Sequence, residues 1–181
     1  MSSIEQTNPR GIKSLGARKF NRLLELSRRF NAESQRCARV RAYYAACILQ
    51  GAALEGMLMA MAECHPEDVK QHLATLPSRD RPKGQLTKWT LNELVKIAIG
   101  LNWIPARRGK YRVHEIGDWL NYVRDARNLV HLGRHLRDYP NLRIRSKHFL
   151  ECSKIVSAAI SHLSHIVESG IVSEIDHREQ S

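Results

Sequence analysis

The sequence lacks the features that mark secreted, membrane-spanning or disulfide-stabilised proteins. Its four cysteines show no paired spacing, so no disulfide framework is predicted and a reducing cytoplasm is the expected compartment. The N-terminus lacks the basic and then apolar pattern of a signal peptide. The longest apolar run, residues 42–62, is interrupted by Gln50 and Glu55. We therefore expect a buried helix in that run and no contact with a membrane.

Familiar catalytic and metal-binding motifs are also missing. There is no Gly-rich loop that would hold a phosphate, and no Ser, His and Asp in the order of a hydrolase triad. His148 with Cys152, and His162 with His165, have helical spacing for a pair of metal ligands. No dense ligand set joins either pair, so surface or core packing is the simpler interpretation. We expect neither a metal nor a cofactor.

Acidic residues are scarce beside basic ones. The chain has 29 Lys and Arg against 18 Asp and Glu, a net charge of +11. Seven of those eleven charges fall in residues 107–147, and a second basic group lies near the N-terminus. This excess predicts a polyanionic partner, which is nucleic acid or, less often, an anionic membrane surface; a merely solubilising surface is the alternative. The residues expected to bind RNA are Arg107, Arg108, Arg112, Arg127 and Arg134.

Apolar residues recur at helical spacing and no strand pattern appears, which predicts an all-α fold of about five to six helices. We expect one domain over residues 15–170, a mobile arm over residues 1–14 and a disordered tail over residues 171–181. Thr90 with Glu93 forms a capping box, which predicts a helix start. The predicted helices cover about residues 15–31, 34–63, 66–76, 90–101, 113–132 and 146–170, with a basic connection over residues 134–145.

The predicted helix over residues 113–132, called the motif segment below, carries the most informative pattern. Each helical residue turns the chain by about 100°, so residues seven apart return to nearly the same face. Arg124 and His131 are seven apart, and Arg127 and Asn128 fall between them on the same stripe. A neighbouring stripe is apolar and is expected to face the core; it consists of Trp119, Leu120, Val123, Ala126 and Val130.

An Arg, a polar residue and then a His near the end of a helix resemble the signature of HEPN domains. Here Arg124 is followed by Asp125, and six residues separate Arg124 from His131, at the long end of the family's spacing. Residues 43–55 resemble the family's first long core helix, which often carries a Glu in an apolar run, and residues 90–98 resemble a short middle helix. The resemblance spans roughly residues 35–168. It implies an all-α, usually dimeric domain; many members cleave RNA without a metal, and others bind RNA, nucleotides or protein partners without cleaving.

The stripe contains the groups that metal-independent RNA cleavage requires. The imidazole of His131 can transfer a proton near neutral pH, and Arg124 can stabilise negative charge on the phosphate. Asn128 could position the phosphate or the imidazole. Glu55 is expected to pair with Arg124 or Arg127 and to orient it, with a partly exposed Glu as the alternative. In a two-fold dimer, two such stripes could share one groove.

The sequence leaves three functions open. The first is a HEPN-type endoribonuclease, either a toxin or a defence effector, with a protein antitoxin or regulator as a possible partner. The second is a non-catalytic module that binds RNA, a nucleotide or a protein. The third is a DNA-binding regulator, which would need a helix that projects into a DNA groove.

Overall fold

The structure, a computed structural model, describes residues 14–104 and 143–179 together with the isolated positions Val123, Arg127, Asn128 and Arg137. These residues contain α-helices and two short 3₁₀ turns and no strand, which confirms the predicted all-α class. The arm predicted over residues 1–14 lies outside the described residues except for Ser14, which begins a helix. The α-helices are α1 (Ser14–Arg39), α2 (Tyr43–Cys64), α3 (Pro66–Thr75), α4 (Leu91–Gly100) and α5 (Ser146–Glu179), and the 3₁₀ turns cover Ser78–Asp80 and Leu86–Lys88.

Helices α1 and α2 form an antiparallel hairpin that is held together by small and polar side chains. The Ser27 hydroxyl donates a hydrogen bond to the Ala53 carbonyl (2.7 Å), and the Ser34 hydroxyl donates to the Ala46 carbonyl (2.8 Å). Both serines are buried, and they are seven residues apart, as are the two alanines. Small side chains at these positions let the two backbones approach closely.

The break between α1 and α2 lies at residues 40–42 and not near residues 31–34, where the sequence pattern predicted it. Asn31 and Ser34 favoured a helix end and a helix start there, because their side chains commonly bond nearby backbone. In the structure both side chains accept a hydrogen bond at 3.0 Å from the buried Gln50 amide of α2. A contact between helices therefore replaces the expected caps, and α1 continues to Arg39.

The true end of α1 is a Schellman turn with Arg41 in the left-handed conformation (φ 60°). The Ala42 amide donates to the Cys37 carbonyl (2.9 Å), and the Arg41 amide donates to the Ala38 carbonyl (3.0 Å). Glycine usually occupies this position, because a side chain in the left-handed region costs about 1–2 kcal/mol. The sequence contains no glycine there to signal the turn.

Replacing Arg41 with Gly should therefore stabilise the protein by about 1 kcal/mol, because the left-handed strain is removed. The matched change Arg28→Gly, at an exposed position inside α1, should destabilise it by about 1 kcal/mol through the low helix propensity of glycine. Urea titration of both variants measures the two effects. Loss of stability in Arg41→Gly would show that the left-handed turn is not the native state.

Helices α3 and α4 begin where the sequence predicted. Pro66 opens α3 at its first turn, where a missing amide costs nothing. The backbone amide of Thr90 donates to the Glu93 carboxylate (2.7 Å), and the Glu93 amide donates to the Thr90 hydroxyl (3.3 Å), so the capping box is confirmed. Helix α4 ends in a second Schellman turn, with Asn102 left-handed (φ 56°).

The core is built around α2, which contacts α1, α4 and α5. Residues 43–64 are long enough and apolar enough to cross a membrane by length and composition, but 61% of the apolar 18-residue window within them is buried inside the chain. Such burial is what the core helix of a bundle shows. The largest fully buried side chains are Leu54, Leu58, Met61, Leu91, Ile104, Leu163, Gln50, Val123, Val156, Cys47 and Cys152.

Two predicted boundaries near the C-terminus need correction. Helix α5 passes through Gly170 and ends at Glu179, so residues 171–179 are helical where a disordered tail was expected. A single glycine costs a helix about 1 kcal/mol relative to alanine, which weakens it without ending it. Arg137 is also helical, within residues 134–145, which were predicted as a basic connection between two helices.

Candidate functional site

The structure describes three residues of the motif segment. Val123, Arg127 and Asn128 are all helical, as predicted. The other predicted site residues lie outside the described residues; these are Arg124 and His131 of the catalytic set and Arg107, Arg108, Arg112 and Arg134 of the RNA-binding set.

Val123 tests the prediction that the apolar stripe of the motif segment faces the core. Its side chain is 0% exposed and belongs to the hydrophobic core, as the apolar stripe predicted for this position. Arg127 and Asn128 are both half-buried. Arg127 follows Val123 by four residues, so the two share one helix face. The Arg127 side chain therefore lies at the edge of the core.

Gly51 of α2 has no side chain, and this lets the Arg127 side chain approach the helix closely. A Cβ atom at position 51 would lie 2.9 Å from the Arg127 Cβ and 3.1 Å from its Cγ and Cδ. Real Cβ atoms almost never come this close to another carbon. The aliphatic stem of Arg127 thus lies directly on the bare backbone of α2, a contact that the sequence did not predict. The glycine inside the apolar run was its only available signal.

The guanidinium of Arg127 contacts the carboxylate of Glu55, which lies one helical turn after Gly51 on α2. Its Nη2 lies 2.7 Å from the Glu55 Oε2, and the side chains of Arg127 and Glu55 are 33% and 22% exposed. Glu55 was predicted to pair with Arg124 or Arg127, and the structure brings it to Arg127. The charge of Arg127 is thereby partly neutralised, which favours a positioning role over direct binding of a phosphate.

Burial and ion pairing act on Glu55 in opposite directions. Loss of water around the carboxyl raises the pKa of Glu55 above its ordinary value, and the nearby Arg127 charge lowers it by a smaller amount. Glu55 therefore binds a proton more tightly in the folded protein than in the unfolded chain. The stability that this gives is present at low pH and is lost as the pH rises through the folded-state pKa of Glu55.

A titration should reveal both effects. The pKa of Glu55, measured by NMR of its carboxyl carbon, should lie above the usual range and should rise further in Arg127→Gln. The free energy of unfolding of the wild type, relative to Glu55→Gln, should fall as the pH rises from about 4 to about 7. Arg29→Gln removes the same charge from an exposed site and should leave the Glu55 titration nearly unchanged. An unchanged or lowered pKa of Glu55 in Arg127→Gln would contradict the ion pair.

Of the two pairs with helical spacing for metal ligands, the structure gives Cys152 and His148 separate hydrogen-bond partners. Cys47 of α2 and Cys152 of α5 are buried, and a hydrogen bond between their thiols lowers the pKa of Cys47 and, together with burial, raises the pKa of Cys152. The Nδ1 atom of His148 accepts a hydrogen bond from the Arg145 amide (2.9 Å) at the start of α5. Within the described ranges, no three His, Cys, Asp or Glu residues are grouped so that they could hold a metal ion.

A surface groove of about 430 Å³ lies elsewhere, between the end of α2, α3 and the turn that leads to α4. Its apolar lining includes Val69, Leu73, Leu86 and Trp89. Trp89 is also buried in the hydrophobic core. The predicted site residues that the structure describes, Glu55, Arg127 and Asn128, do not line this groove.

No protein-family model, curated protein or solved structure matches the chain. The resemblance to HEPN domains therefore rests on the sequence alone.

Proposed function

We propose that the chain is a HEPN-type endoribonuclease that cleaves RNA without a metal, acting in the cytoplasm as a toxin or defence effector. The observation that carries the proposal is the Arg124-to-His131 motif in a segment whose described residues are helical and whose Arg127 contacts α2. Such a role implies a protein antitoxin or regulator as a partner.

Helical spacing relates the two catalytic candidates to the described contact. Arg124 precedes Arg127 by three residues and His131 follows it by four, so on a helix both flank Arg127 on one stripe. Arg127 lies where the core meets solvent, with 33% of its side chain exposed. In the proposed complex, an RNA phosphate reaches Arg124 and His131 from the solvent side of this edge. On the other side, Arg127 contacts Glu55 and Gly51 of α2.

The proposed reaction is a transesterification at one phosphate. The neutral imidazole of His131 removes the proton from a ribose 2′-hydroxyl, whose oxygen attacks the adjacent phosphorus. The bond to the 5′-oxygen of the next nucleotide breaks, and that oxygen takes a proton from the second His131 of a homodimer or from water. Arg124 stabilises the added negative charge on the phosphate, and Asn128 holds the phosphate or the imidazole in place. The products are a 2′,3′-cyclic phosphate and a free 5′-hydroxyl.

A non-catalytic RNA-binding module is the second candidate. The pairing of Arg127 with Glu55 is compatible with it, because this ion pair stabilises the helix contact whether or not the chain cleaves RNA. In that case the motif segment would contribute packing and positive charge alone.

Incubation of the purified full chain with cellular RNA separates the two candidates. The nuclease should cut RNA in the presence of EDTA, leave 2′,3′-cyclic phosphates and run as a dimer in light scattering at micromolar concentration. Intact RNA after prolonged incubation, with or without added Mg²⁺, would leave the binding module as the function.

A further inference from the structure

Helix α1 presents a strongly basic surface outside the motif segment. Residues 18–41 contain eight Lys and Arg against two Glu, a net charge of +6 in a chain whose total is +11. All eight basic residues are exposed. We call this surface the α1 basic edge; it consists of Arg18, Lys19, Arg22, Arg28, Arg29, Arg36, Arg39 and Arg41.

The geometry of α1 arranges these charges in a row. Four of them recur at intervals of four, seven and seven residues, which keeps them within about 40° on a helix over a length of about 27 Å. The buried Ser27 and Ser34, which bond to α2, lie on the opposite face. The row therefore faces solvent along its whole length; it consists of Arg18, Arg22, Arg29 and Arg36.

Three of the eight cations of the α1 basic edge form ion pairs with acids, and the charge of Arg29 also lowers the pKa of Glu33. Arg22 pairs with Glu25, Arg36 with Glu33, and Lys19 lies 3.5 Å from Glu63. Within the described part of the chain, no Asp or Glu forms an ion pair with the other five arginines; these are Arg18, Arg28, Arg29, Arg39 and Arg41. A surface made only for solubility commonly alternates charges of both signs along a helix.

The turn at the end of α1 extends the edge. Val40 is 77% exposed and lies between Arg39 and Arg41, the latter in the left-handed conformation. Tyr44, at the start of α2, is 38% exposed. Cations beside exposed apolar and aromatic groups are the combination that contacts both phosphates and bases of a single strand.

We infer that the α1 basic edge binds the phosphate backbone of single-stranded RNA. A membrane surface fits less well, because an interfacial helix must insert an apolar face and that of α1 is packed against α2. The choice of RNA over other polyanions rests on the proposed function. The edge itself shares no residue with the motif segment, so binding here can be tested without cleavage.

The test uses the full chain, a short single-stranded RNA with 2′-O-methyl riboses, and fluorescence anisotropy at several salt concentrations. This RNA keeps its phosphates but has no 2′-hydroxyl nucleophile. In the triple variant Arg28→Gln, Arg29→Gln, Arg39→Gln, affinity should fall about tenfold or more, and the dependence of log affinity on log salt should weaken by about 0.7 for each phosphate that the variant no longer binds. The matched control Lys83→Gln, Lys88→Gln, Lys96→Gln removes the same charge from exposed sites elsewhere and should change affinity less than about threefold, as long-range attraction alone would.

Equal decreases in affinity in the two triple variants would overturn the inference, since net charge alone would then explain binding. So would binding to phosphatidylserine vesicles or to polyglutamate with no binding to RNA. If the wild type binds the methylated RNA through α1 but cleaves no natural RNA, the inference stands and the nuclease proposal fails. If RNA is cleaved and the α1 variant binds as tightly as the wild type, the inference fails and the nuclease proposal stands.

Discussion

Replacing His131 with Ala should slow RNA cleavage by on the order of a hundred- to ten-thousandfold, the usual weight of a general acid–base group. His131 is the group in the motif whose ordinary pKa permits proton transfer near neutral pH. Arg124→Ala should cause a decrease of similar size, because the phosphate would lack a fixed cation as negative charge builds up. Single-turnover cleavage of one labelled RNA, in EDTA, measures both rates.

His162→Ala provides the matched control, because His162 is an exposed histidine on α5 and should not affect cleavage. Circular dichroism should show that His131→Ala and Arg124→Ala still fold, since the motif stripe is predicted to border the core without filling it. Both variants should keep most of their affinity for methylated RNA, through the α1 basic edge. Cleavage by His131→Ala at the wild-type rate would remove this residue from the chemistry.

Features that short stretches of sequence determine were predicted correctly. The capping box of Thr90 and Glu93 needs only residues three apart, and Pro66 fits the first turn of a helix wherever that helix is placed. The burial of Val123 followed from helical periodicity within the motif segment. In each case the deciding interaction is local or depends on a repeated pattern.

Features that depend on contacts between helices could not be predicted. Asn31 and Ser34 have the side chains of helix caps, and only the position of Gln50 on α2 shows that they bond across the hairpin. Glu55 had two possible arginine partners at helical spacing, and the approach of the motif segment to α2 selected Arg127. That approach depends in turn on Gly51, whose importance appears only when both helices are in place.

A larger side chain at position 51 should therefore disrupt the packing of Arg127 on α2. Gly51→Leu should lower the free energy of unfolding by about 1–3 kcal/mol, the usual cost of overfilling a packed contact, because its Cβ alone would lie 2.9 Å from the Arg127 Cβ. Gly51→Ala should cost less, since alanine gains about 1 kcal/mol of helix propensity over glycine. If Arg127 helps to position the motif, Gly51→Leu should also reduce RNA cleavage more than its decrease in stability explains. Urea titration and the cleavage assay measure the two effects.

Gly100→Ala is the control for a glycine whose neighbour can move. A Cβ there would meet the far end of the half-buried His72 ring, which can rotate aside, so the free energy of unfolding should change little.

A double-mutant cycle then tests the packing of Arg127 on Gly51 itself. Arg127→Ala removes the Cγ and Cδ atoms that lie over position 51, so Gly51→Leu should cost at least about 0.5 kcal/mol less in the Arg127→Ala background than in the wild type. Additive effects of the two changes would mean that the motif segment does not lie on Gly51, and the placement of Arg127 beside Glu55 would have to be abandoned.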